Sequence, residues 1–415
     1  MLVAWSTLTG RGRLFLIGGV AVTVIAIMWG QRDLAWLGVL LVVLPLAAAI
    51  EVHRTRLSLA SERRVEPSRA PVGGRLTGSL ALTKAGSLPI GLLQFEESVP
   101  AQLGRRPRFS VHQFTGRWRR RITYPMIGLA RGRFRVGPLV VHAADPFGLA
   151  RLDSTLSGSD EVMITPHVVP LSQLTNAGGA GTAGDTAPQH VGRLGQDDVL
   201  VREYREGDDV RRVHWRSTAR WGQIMVRREE QAWEPSATVL LDNRVAHHDG
   251  AGRDSSFEWA VSAAASVCSH LTGSGYRVAL IEASGSVVAG GSEDPLTARE
   301  AMLIALTDAA LTRTDSLTAA ANAAIATREG EIMVAVLGRL SGDDVVSLER
   351  IRRARAQGFA LVLHPETFAG PGRAVGTDQD DAIRQLREQR WRVVEVRAGT
   401  SVGEAWERLA QEALV

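Results

Sequence analysis

The chain has 415 residues, 45% of them hydrophobic, which is enough for two soluble domains and a membrane part. Its 48 basic and 44 acidic residues leave a net charge of only +4, so bulk charge gives no indication of nucleic-acid binding. A single cysteine, Cys268, excludes an internal disulfide and any cysteine cluster for zinc or iron–sulfur. We predict that it is a buried core thiol.

The first 56 residues predict a transmembrane helical hairpin. Two uncharged stretches, at 14–30 and 34–50, each have the length that a short membrane-spanning helix needs. Trp29 and Trp36 flank the short connection, as aromatic residues do at a membrane interface. The alternative is a buried core hairpin, but such uniform apolar composition would leave a soluble helix no solvated face.

The charges beside these stretches predict the orientation. Basic residues precede the first stretch and follow the second, whereas the connection carries one Arg and one Asp; the basic residues are Arg11, Arg13, Arg54, Arg56, Arg63 and Arg64. By the positive-inside rule, both termini and the soluble domains face the cytoplasm. We therefore expect a two-pass protein of the plasma (inner) membrane, with the lipid bilayer as one of its partners.

Residues 57–170 predict a small β-rich module. Short apolar runs alternate with turn residues, which favours a small antiparallel sandwich or barrel. The turn DPFGL at 145–149 is interpreted as structural. A cluster of arginines lies between 105 and 121, with Trp118 among them. It is typical of a solvated strand face near an anionic membrane, and the alternative is a nucleic-acid or lipid-headgroup surface.

A flexible linker is predicted at 171–195, because the stretch NAGGAGTAGD lacks the apolar content to pack. It is no phosphate-binding loop, since the Lys of a Walker-type motif is missing.

The segment 196–237 is the densest in charge. Eight arginines lie between 202 and 228, interleaved with carboxylates, and arginine pairs with carboxylates in fixed bidentate geometry. Gly207 predicts a turn, after which Val210, Val213 and Trp215 face inward, and GQIMVRR at 222–228 predicts a strand. The balance of charges indicates a recognition array or a structural clamp rather than a phosphate-binding patch.

This array resembles the domain of unknown function 58 (DUF58) family. The matching residues are Arg202, Tyr204, Gly207, Asp208, Arg211, Trp215, Thr218, Ala219 and Arg220. With Ser217, which lies among them, these form the partner-binding or structural signature, and Arg202, Tyr204, Gly207, Asp208, Arg211, Trp215, Ser217 and Arg220 are its candidate site residues. The hairpin, the module ending near DPFGL and TVLLDNR at 238–244 also fit the family's plan.

Residues 238–415 predict an α/β domain with a doubly wound parallel sheet. Apolar strands alternate with helical stretches; the strands are predicted at 238–241, 278–281, 332–337, 360–363 and 393–396. A binding site in such a sheet lies at the carboxyl ends of the strands. The overall class is thus α/β plus β: two transmembrane helices, a small β-sandwich-like module, and a domain that the resemblance implies to be von Willebrand factor A-like.

That resemblance also implies a cation site, Asp-x-Ser-x-Ser, after the first strand. Here only Asp242 of the motif is present, and Arg244 in the place of the first serine would repel a dication. We expect no cofactor, with Mg²⁺ or Mn²⁺ at Asp242 as the alternative. His247 and His248 are interpreted as loop residues, because adjacent side chains diverge and no further ligand has suitable spacing.

The sequence indicates no catalytic residues. His214 lies three residues before Ser217, but no nucleophile elbow or third orienting residue accompanies them. The leading hypothesis is a non-enzymatic, membrane-anchored adaptor. The family resemblance implies a MoxR-type AAA+ ATPase as partner, in the assembly or maturation of other proteins, and also a membrane transglutaminase-like protein. The alternatives are a divalent-metal-dependent enzyme or adhesion-type metal site at Asp242, and nucleic-acid binding, which we do not expect.

Overall fold

The structure is a computed structural model of the chain. It describes residues 7–57, 59–84, 92–111, 117–156, 158–173, 201–204, 213–227, 235–289, 294–327, 332–355, 357–370 and 377–411.

Two long apolar helices form the amino-terminal hairpin, α1 (Gly10–Met28) and α2 (Arg32–Leu57). Both are long and apolar enough to cross a membrane, over Gly10–Met28 and Arg32–Arg54. Thr9 caps α1, since its hydroxyl accepts a hydrogen bond from the Gly12 backbone N–H at 3.2 Å. Most of their large apolar side chains are exposed, which in a soluble helix would be unfavourable and in a bilayer is favourable. Two candidate membrane spans are thus present where the sequence predicts them.

The β-rich module follows the hairpin directly. Its strands are β1 (Leu59–Glu66), β2 (Arg69–Pro71), β3 (Arg75–Lys84), β4 (Leu92–Glu97), β5 (Arg108–Val111), β6 (Trp118–Ile127), β7 (Gly132–Val136), β8 (Leu139–Ala144), β9 (Arg151–Leu156) and β10 (Asp160–Thr165). They form three small sheets, in the orders β1-β3-β6, β2-β10-β7 and β5-β4-β8-β9. The expectation of purely antiparallel pairing is wrong at one place, because β2 pairs with β10 in parallel.

The three sheets and the base of the hairpin share one hydrophobic core. Leu8, Ala48 and Val52 of the helical part belong to the same buried cluster as the strand residues Leu80 and Val141. The hairpin and the module are therefore joined by packing as well as by the chain.

The signature segment contains a two-stranded sheet and a short helix. β11 (Val201–Glu203) pairs antiparallel with β12 (Met225–Arg227), and α3 (Trp215–Trp221) lies between them in the chain. The strand predicted from GQIMVRR is confirmed in the three residues of β12.

A six-stranded sheet forms the centre of the carboxyl-terminal domain. Its strands are β13 (Ser236–Leu241), β14 (Arg277–Glu282), β15 (Val287–Ala289), β16 (Ile332–Leu337), β17 (Gln357–Leu363) and β18 (Trp391–Val396), in the order β15-β14-β13-β16-β17-β18. All neighbours are parallel except β14 and β15. The five predicted strands are confirmed, and the edge strand β15 is an addition that makes the sheet mixed.

Helices cover both faces of this sheet. They are α4 (Ser256–Gly273), α5 (Pro295–Asp308), α6 (Thr318–Ala326), α7 (Gly342–Arg353), α8 (Thr377–Glu388) and α9 (Val402–Gln411). Val239 faces a core with α4, α5 and α9, whereas the next residue, Leu240, faces a core with α6, α7 and α8. Strands buried on both faces explain why the sequence shows continuous apolar runs here.

Arg131 connects the β-rich module to the α/β domain. Its Nε lies 2.9 Å from Oε2 of Glu258, and its Nη1 donates to the carbonyls of Leu306, Thr307 and Ala309 at 3.0, 3.1 and 2.7 Å. These carbonyls are at the carboxyl end of α5, where the last turn of a helix lacks backbone partners and attracts a cation. One arginine thus caps a helix of the other domain.

Two further contacts lie in the same interface. Arg133 donates to both carboxylate oxygens of Asp308, at 2.9 and 2.8 Å. The backbone N–H of Val169 donates to the Ser266 hydroxyl at 2.9 Å. These bonds form a clamp between the two domains at the loop and strand around 131–133. The clamp predicted for the segment 202–228 stays a prediction, because part of that segment lies outside the described residues.

Candidate functional site

The candidate site lies at the carboxyl ends of β13 and β16, the neighbouring strands between which the strand order reverses. Asp242 follows β13 directly, and its backbone N–H donates to the Val336 carbonyl at 2.9 Å. Gly338 follows β16 and donates its N–H to Oδ2 of Asp242 at 3.2 Å. In open α/β sheets, ligands bind in the crevice at this switch point. Asp242 is thus placed where the fold favours a functional group.

Arg244 occupies this crevice between two carboxylates. Its Nε lies 2.9 Å from Oδ1 of Asp242 and its Nη2 lies 2.9 Å from Oδ2 of the same residue. The other side of the guanidinium contacts Asp344, with Nη1 at 2.6 Å from Oδ1 and Nη2 at 3.1 Å from Oδ2. The Arg244 and Asp242 side chains are fully buried and that of Asp344 is 2% exposed. The result is a buried carboxylate–guanidinium–carboxylate group, which we call the Arg244 bridge.

Asp344 is held in place by the helix that it begins. The backbone N–H and the hydroxyl of Ser341 lie 3.0 and 2.8 Å from its Oδ2, which completes a capping box at the start of α7. The Arg244 bridge therefore ties the end of β13 to the start of α7, which follows β16.

Electrostatics keep Asp242 ionised. Burial by itself would raise the pKa of its carboxyl, but the hydrogen bonds and charge of Arg244 lower that pKa below the ordinary value of 3.8. The two carboxylates likewise raise the pKa of the Arg244 guanidinium despite its burial. Asp242 and Arg244 are therefore a fixed pair of opposite charges at neutral pH.

The side chains of the Arg244 bridge do not fit a site for a divalent cation. Both oxygens of Asp242 already accept hydrogen bonds from N–H groups, and Arg244 supplies the positive charge that Mg²⁺ or Mn²⁺ would bring. Over the described parts of the chain, no three His, Cys, Asp or Glu side chains are grouped as a metal site would need.

The loop after Asp242 is fixed by side-chain bonds. The Nε2 of His248 lies 2.7 Å from the Asp242 carbonyl, and its Nδ1 lies 3.1 Å from the Ser256 hydroxyl. Burial lowers the pKa of His248, so the ring is neutral at neutral pH. Asn243 donates from Nδ2 to the Ala310 carbonyl at 3.0 Å. His248 lies in a loop as predicted and is a buried anchor of that loop, whereas His247 ends a single 3-10 turn, Val245–His247.

The signature residues are placed as follows. Arg202 lies on β11, Tyr204 follows that strand, and Trp215, Ser217 and Arg220 lie on α3. Gly207, Asp208 and Arg211 lie outside the described residues, so the predicted arginine–carboxylate lattice around them does too. The Tyr204 backbone N–H donates to the Ile224 carbonyl at 2.8 Å, which extends the pairing of β11 with the far end of the segment.

His214 and Ser217 form a helix cap. The Nδ1 of His214 lies 2.8 Å from the Ser217 hydroxyl and accepts a hydrogen bond from the Ser217 backbone N–H at 3.3 Å. The hydroxyl of Thr218 accepts from the Met225 N–H at 3.0 Å and fastens α3 to β12. The closeness of the imidazole and the hydroxyl therefore follows from capping of α3.

The expectation that Trp215 faces inward is wrong. Trp215 is 71% exposed, and Trp221 at the other end of α3 is 70% exposed. The expectation rests on the two-residue alternation of a strand, which holds for the buried Val213. Helix α3 begins at Trp215, so from there the side chains follow the 3.6-residue period of a helix. Ile224, 50% exposed, adds a third large apolar side chain to this part of the segment. Three large exposed apolar side chains are thus concentrated in this part of the segment.

Arg244 and Asp344 are the site residues that the sequence analysis did not assign to a site. The sequence identifies Arg244 only as a residue that would repel a cation, because its partner Asp344 lies 100 residues further along the chain. The sequence marks Asp344 only through a helix-capping pattern, in which Ser341 is followed three residues later by Asp344.

Comparison with known proteins supports the family assignment. Residues 200–367 match the family model described as "Protein of unknown function DUF58", which confirms the resemblance found in the signature residues. No curated protein matches the chain.

Several solved structures show limited similarity. The CARDB domain of the PF1109 protein from Pyrococcus furiosus is 12% identical, with 26% of this chain and 91% of that chain covered and a TM-score of 0.20. The alkylpurine DNA glycosylase AlkC of Pseudomonas fluorescens is 14% identical, over 32% and 40% of the two chains, with a TM-score of 0.18. The sporulation control protein Spo0M of Bacillus subtilis is 15% identical, over 26% and 50%, with a TM-score of 0.15. Such low scores give no information on the function of this chain.

Proposed function

We propose, from the premise that the chain belongs through residues 200–367 to the DUF58 family, that it is a membrane-anchored adaptor facing the cytoplasm. Its partner would be a MoxR-type AAA+ ATPase, and the pair would act in the assembly or maturation of other proteins. A membrane transglutaminase-like protein is a second partner class. In this proposal the chain has no catalytic activity of its own.

The observation that carries the proposal is the exposure of Trp215, Trp221 and Ile224 in the signature segment. Trp residues are enriched among the side chains that contribute most to protein interfaces. Since α3 rises by roughly 1.5 Å per residue, the two tryptophans are about 9 Å apart along its axis. They are about 120° apart around it, so a partner that contacts both must reach around the short helix.

We also propose a von Willebrand factor A-like fold for the α/β domain. Numbered along the chain, the six strands have the order 3-2-1-4-5-6, and Asp242 follows the first of them. In this chain the Arg244 bridge takes the position of the cation site, which supports binding without a metal. The alternative, a metal-dependent enzyme or adhesion site at Asp242, predicts stoichiometric Mg²⁺ or Mn²⁺ in purified protein that the Asp242→Ala variant lacks. Elemental analysis distinguishes the two proposals.

Co-purification tests the adaptor proposal. The full chain, extracted in detergent, should retain the MoxR-type ATPase of the same cell, and the double variant Trp215→Ala/Trp221→Ala should lose it. Truncation of a central interface residue costs about 2 kcal/mol or more, so we expect at least a roughly 30-fold weaker affinity.

A control separates binding from folding. Leu296, 73% exposed on α5, is equally accessible and lies outside the signature, so Leu296→Ala should bind as the wild type does. All variants should melt at the wild-type temperature, because exposed side chains contribute little to stability. An ATPase that binds the double variant as tightly as the wild type would refute the role of the tryptophans.

A further inference from the structure

The length of α1 fixes the depth of the hairpin in a bilayer. Its 19 residues rise by about 28 Å, close to the ~30 Å of a bilayer's hydrocarbon core. Trp29 and Trp36 are each 73% exposed beside the connection between the helices, where tryptophans lie at the membrane interface. With that end at one interface, Gly10 lies at the other.

The turn of residues 145–150 lies against this end of α1. The Thr9 hydroxyl donates to the Gly148 carbonyl at 2.7 Å, and the Thr9 backbone N–H donates to the Leu149 carbonyl at 2.9 Å. The Leu149 carbonyl oxygen is so close to the helix that a Cβ on Gly12 would lie 2.1 Å from it. The turn is thus held in backbone contact with the first turn of α1, at the level of the lipid head groups.

This turn presents an aromatic side chain at that level. Phe147 is 66% exposed, although it is one of the largest apolar residues of the β-rich module. Its backbone is not free to move, because the Phe147 N–H donates to Oδ2 of the buried Asp145 at 2.9 Å. A rigid turn that exposes a Phe is unfavourable in water and favourable at a membrane interface.

Arginines accompany the turn. Arg151 follows it directly, with its side chain 57% exposed, and Arg11 is exposed in the first turn of α1. Arg151 is partly neutralised by Asp153, at 3.2 Å from its Nε, but a guanidinium has further N–H groups for a phosphate. Lys and Arg beside a membrane surface attract anionic lipids.

We propose that the turn 145–150 is a membrane-docking element of the β-rich module: Phe147 inserts into the interfacial layer of the bilayer, and Arg151 and Arg11 bind the phosphates of anionic phospholipids. This inference rests on the membrane anchoring in the proposed function. It assigns the turn a binding role beyond the structural one predicted from its sequence. The module then lies on the membrane in one fixed orientation, and the exposed face of the signature segment is presented at a defined position relative to the bilayer.

Site-directed spin labelling of the full chain tests this docking. The variant Phe147→Cys is labelled with a nitroxide and reconstituted into nanodiscs of phosphatidylcholine, with or without phosphatidylglycerol. Cys268 does not interfere, because it is 1% exposed and burial raises the pKa of its thiol to about 12. Leu296→Cys reports the aqueous side, and Leu40→Cys, at a residue 58% exposed on α2, reports the span itself.

The measured quantity is the collision rate of the label with oxygen, which concentrates in lipid, relative to a water-soluble nickel chelate. We expect this ratio to be severalfold higher at 147 than at 296. A ratio at 147 equal to that at 296, with a lipid-exposed label at 40, would overturn the docking inference alone. A water-exposed label at 40 would overturn the membrane anchoring as well.

The role of the charges has its own readout. Arg151→Glu should reduce the collision ratio at 147 in discs that contain phosphatidylglycerol and should leave it unchanged in discs of phosphatidylcholine alone. An equal ratio for both variants in both kinds of disc would refute phosphate binding by Arg151.

Discussion

Replacement of Arg244 by methionine tests the Arg244 bridge. Methionine has a similar length and no charge, so Arg244→Met leaves the carboxylates of Asp242 and Asp344 facing each other in a site without solvent. Removal of one partner from a buried ion pair costs about 3–5 kcal/mol, because the remaining charge is neither solvated nor paired. Since the total free energy of unfolding is typically ~5–15 kcal/mol, the variant should be severely destabilised.

Hydrogen exchange of the β13 and β16 amides, measured by mass spectrometry on the full chain in detergent, reports this loss. Each ~1.4 kcal/mol is a factor of ten, so exchange through global opening should become faster by roughly two to four powers of ten. Arg339→Met is the matched control. Arg339 pairs with Asp249 at 2.6 Å, but its side chain is 36% exposed, and such pairs contribute only about 0–1 kcal/mol. If Arg244→Met costs no more than this control, the reasoning about the buried bridge is refuted.

The decrease in the free energy of unfolding caused by Arg244→Met should also depend on pH. In the wild type the pKa of Asp242 lies below its unfolded value, so its contribution to stability is present above about pH 3.8 and is lost as the pH falls through the folded pKa. Without Arg244, burial is no longer opposed and raises the pKa of Asp242 in the folded variant. Protonation then relieves the penalty, so the difference in stability between variant and wild type should be smaller at pH 5 than at pH 8. A difference that grows on acidification would contradict this assignment of charges.

Two further outcomes follow from the buried groups. Arg131→Met should destabilise the contact between the β-rich module and α5 by about 3–5 kcal/mol, since the Arg131 side chain is 8% exposed. The control Arg69→Met removes the 52% exposed partner of Glu300 and should cost only about 0–1 kcal/mol. Equal rates of amide hydrogen exchange in α5 for the two variants would contradict the clamp. Cys268 should react with iodoacetamide only when the domain opens, because burial raises its thiol pKa to about 12; fast alkylation under native conditions would show that the thiol is accessible.

Much of the fold could be predicted from the sequence, because burial leaves a clear pattern in this chain. The strand predicted at 332–337 has the same bounds as β16, since both of its faces are buried and every residue is apolar. The strand β15 was missed because it has three residues at the sheet edge, too few to show a period. The parallel pairing of β2 with β10 was missed because β2 is equally short and its partner lies far along the chain.

The site was less predictable, because its bonds join residues distant in sequence. The position of Asp242 after the first strand identifies the sheet edge, and the identity of Arg244 argues against a dication. Nothing in the sequence selects Asp344 over other acidic residues as the second partner of Arg244. The same is true of Arg131, whose acceptors on α5 lie about 175 residues away.

If the α/β domain has the proposed von Willebrand factor A-like fold, a guanidinium stands in the place of a cation and changes what the sheet edge can do. A metal ion exchanges with solvent and can accept a ligand from a partner protein, whereas Arg244 is covalently part of the chain and all its contacts with Asp242 and Asp344 are buried. The end of β13 and the start of α7 are therefore held in one arrangement whatever the cation concentration. In the proposed adaptor, a partner cannot be recruited by completing a metal shell at this edge, so recognition falls to surfaces outside it. The exposed tryptophans of α3 meet that requirement, because their accessibility does not depend on any change at the bridge.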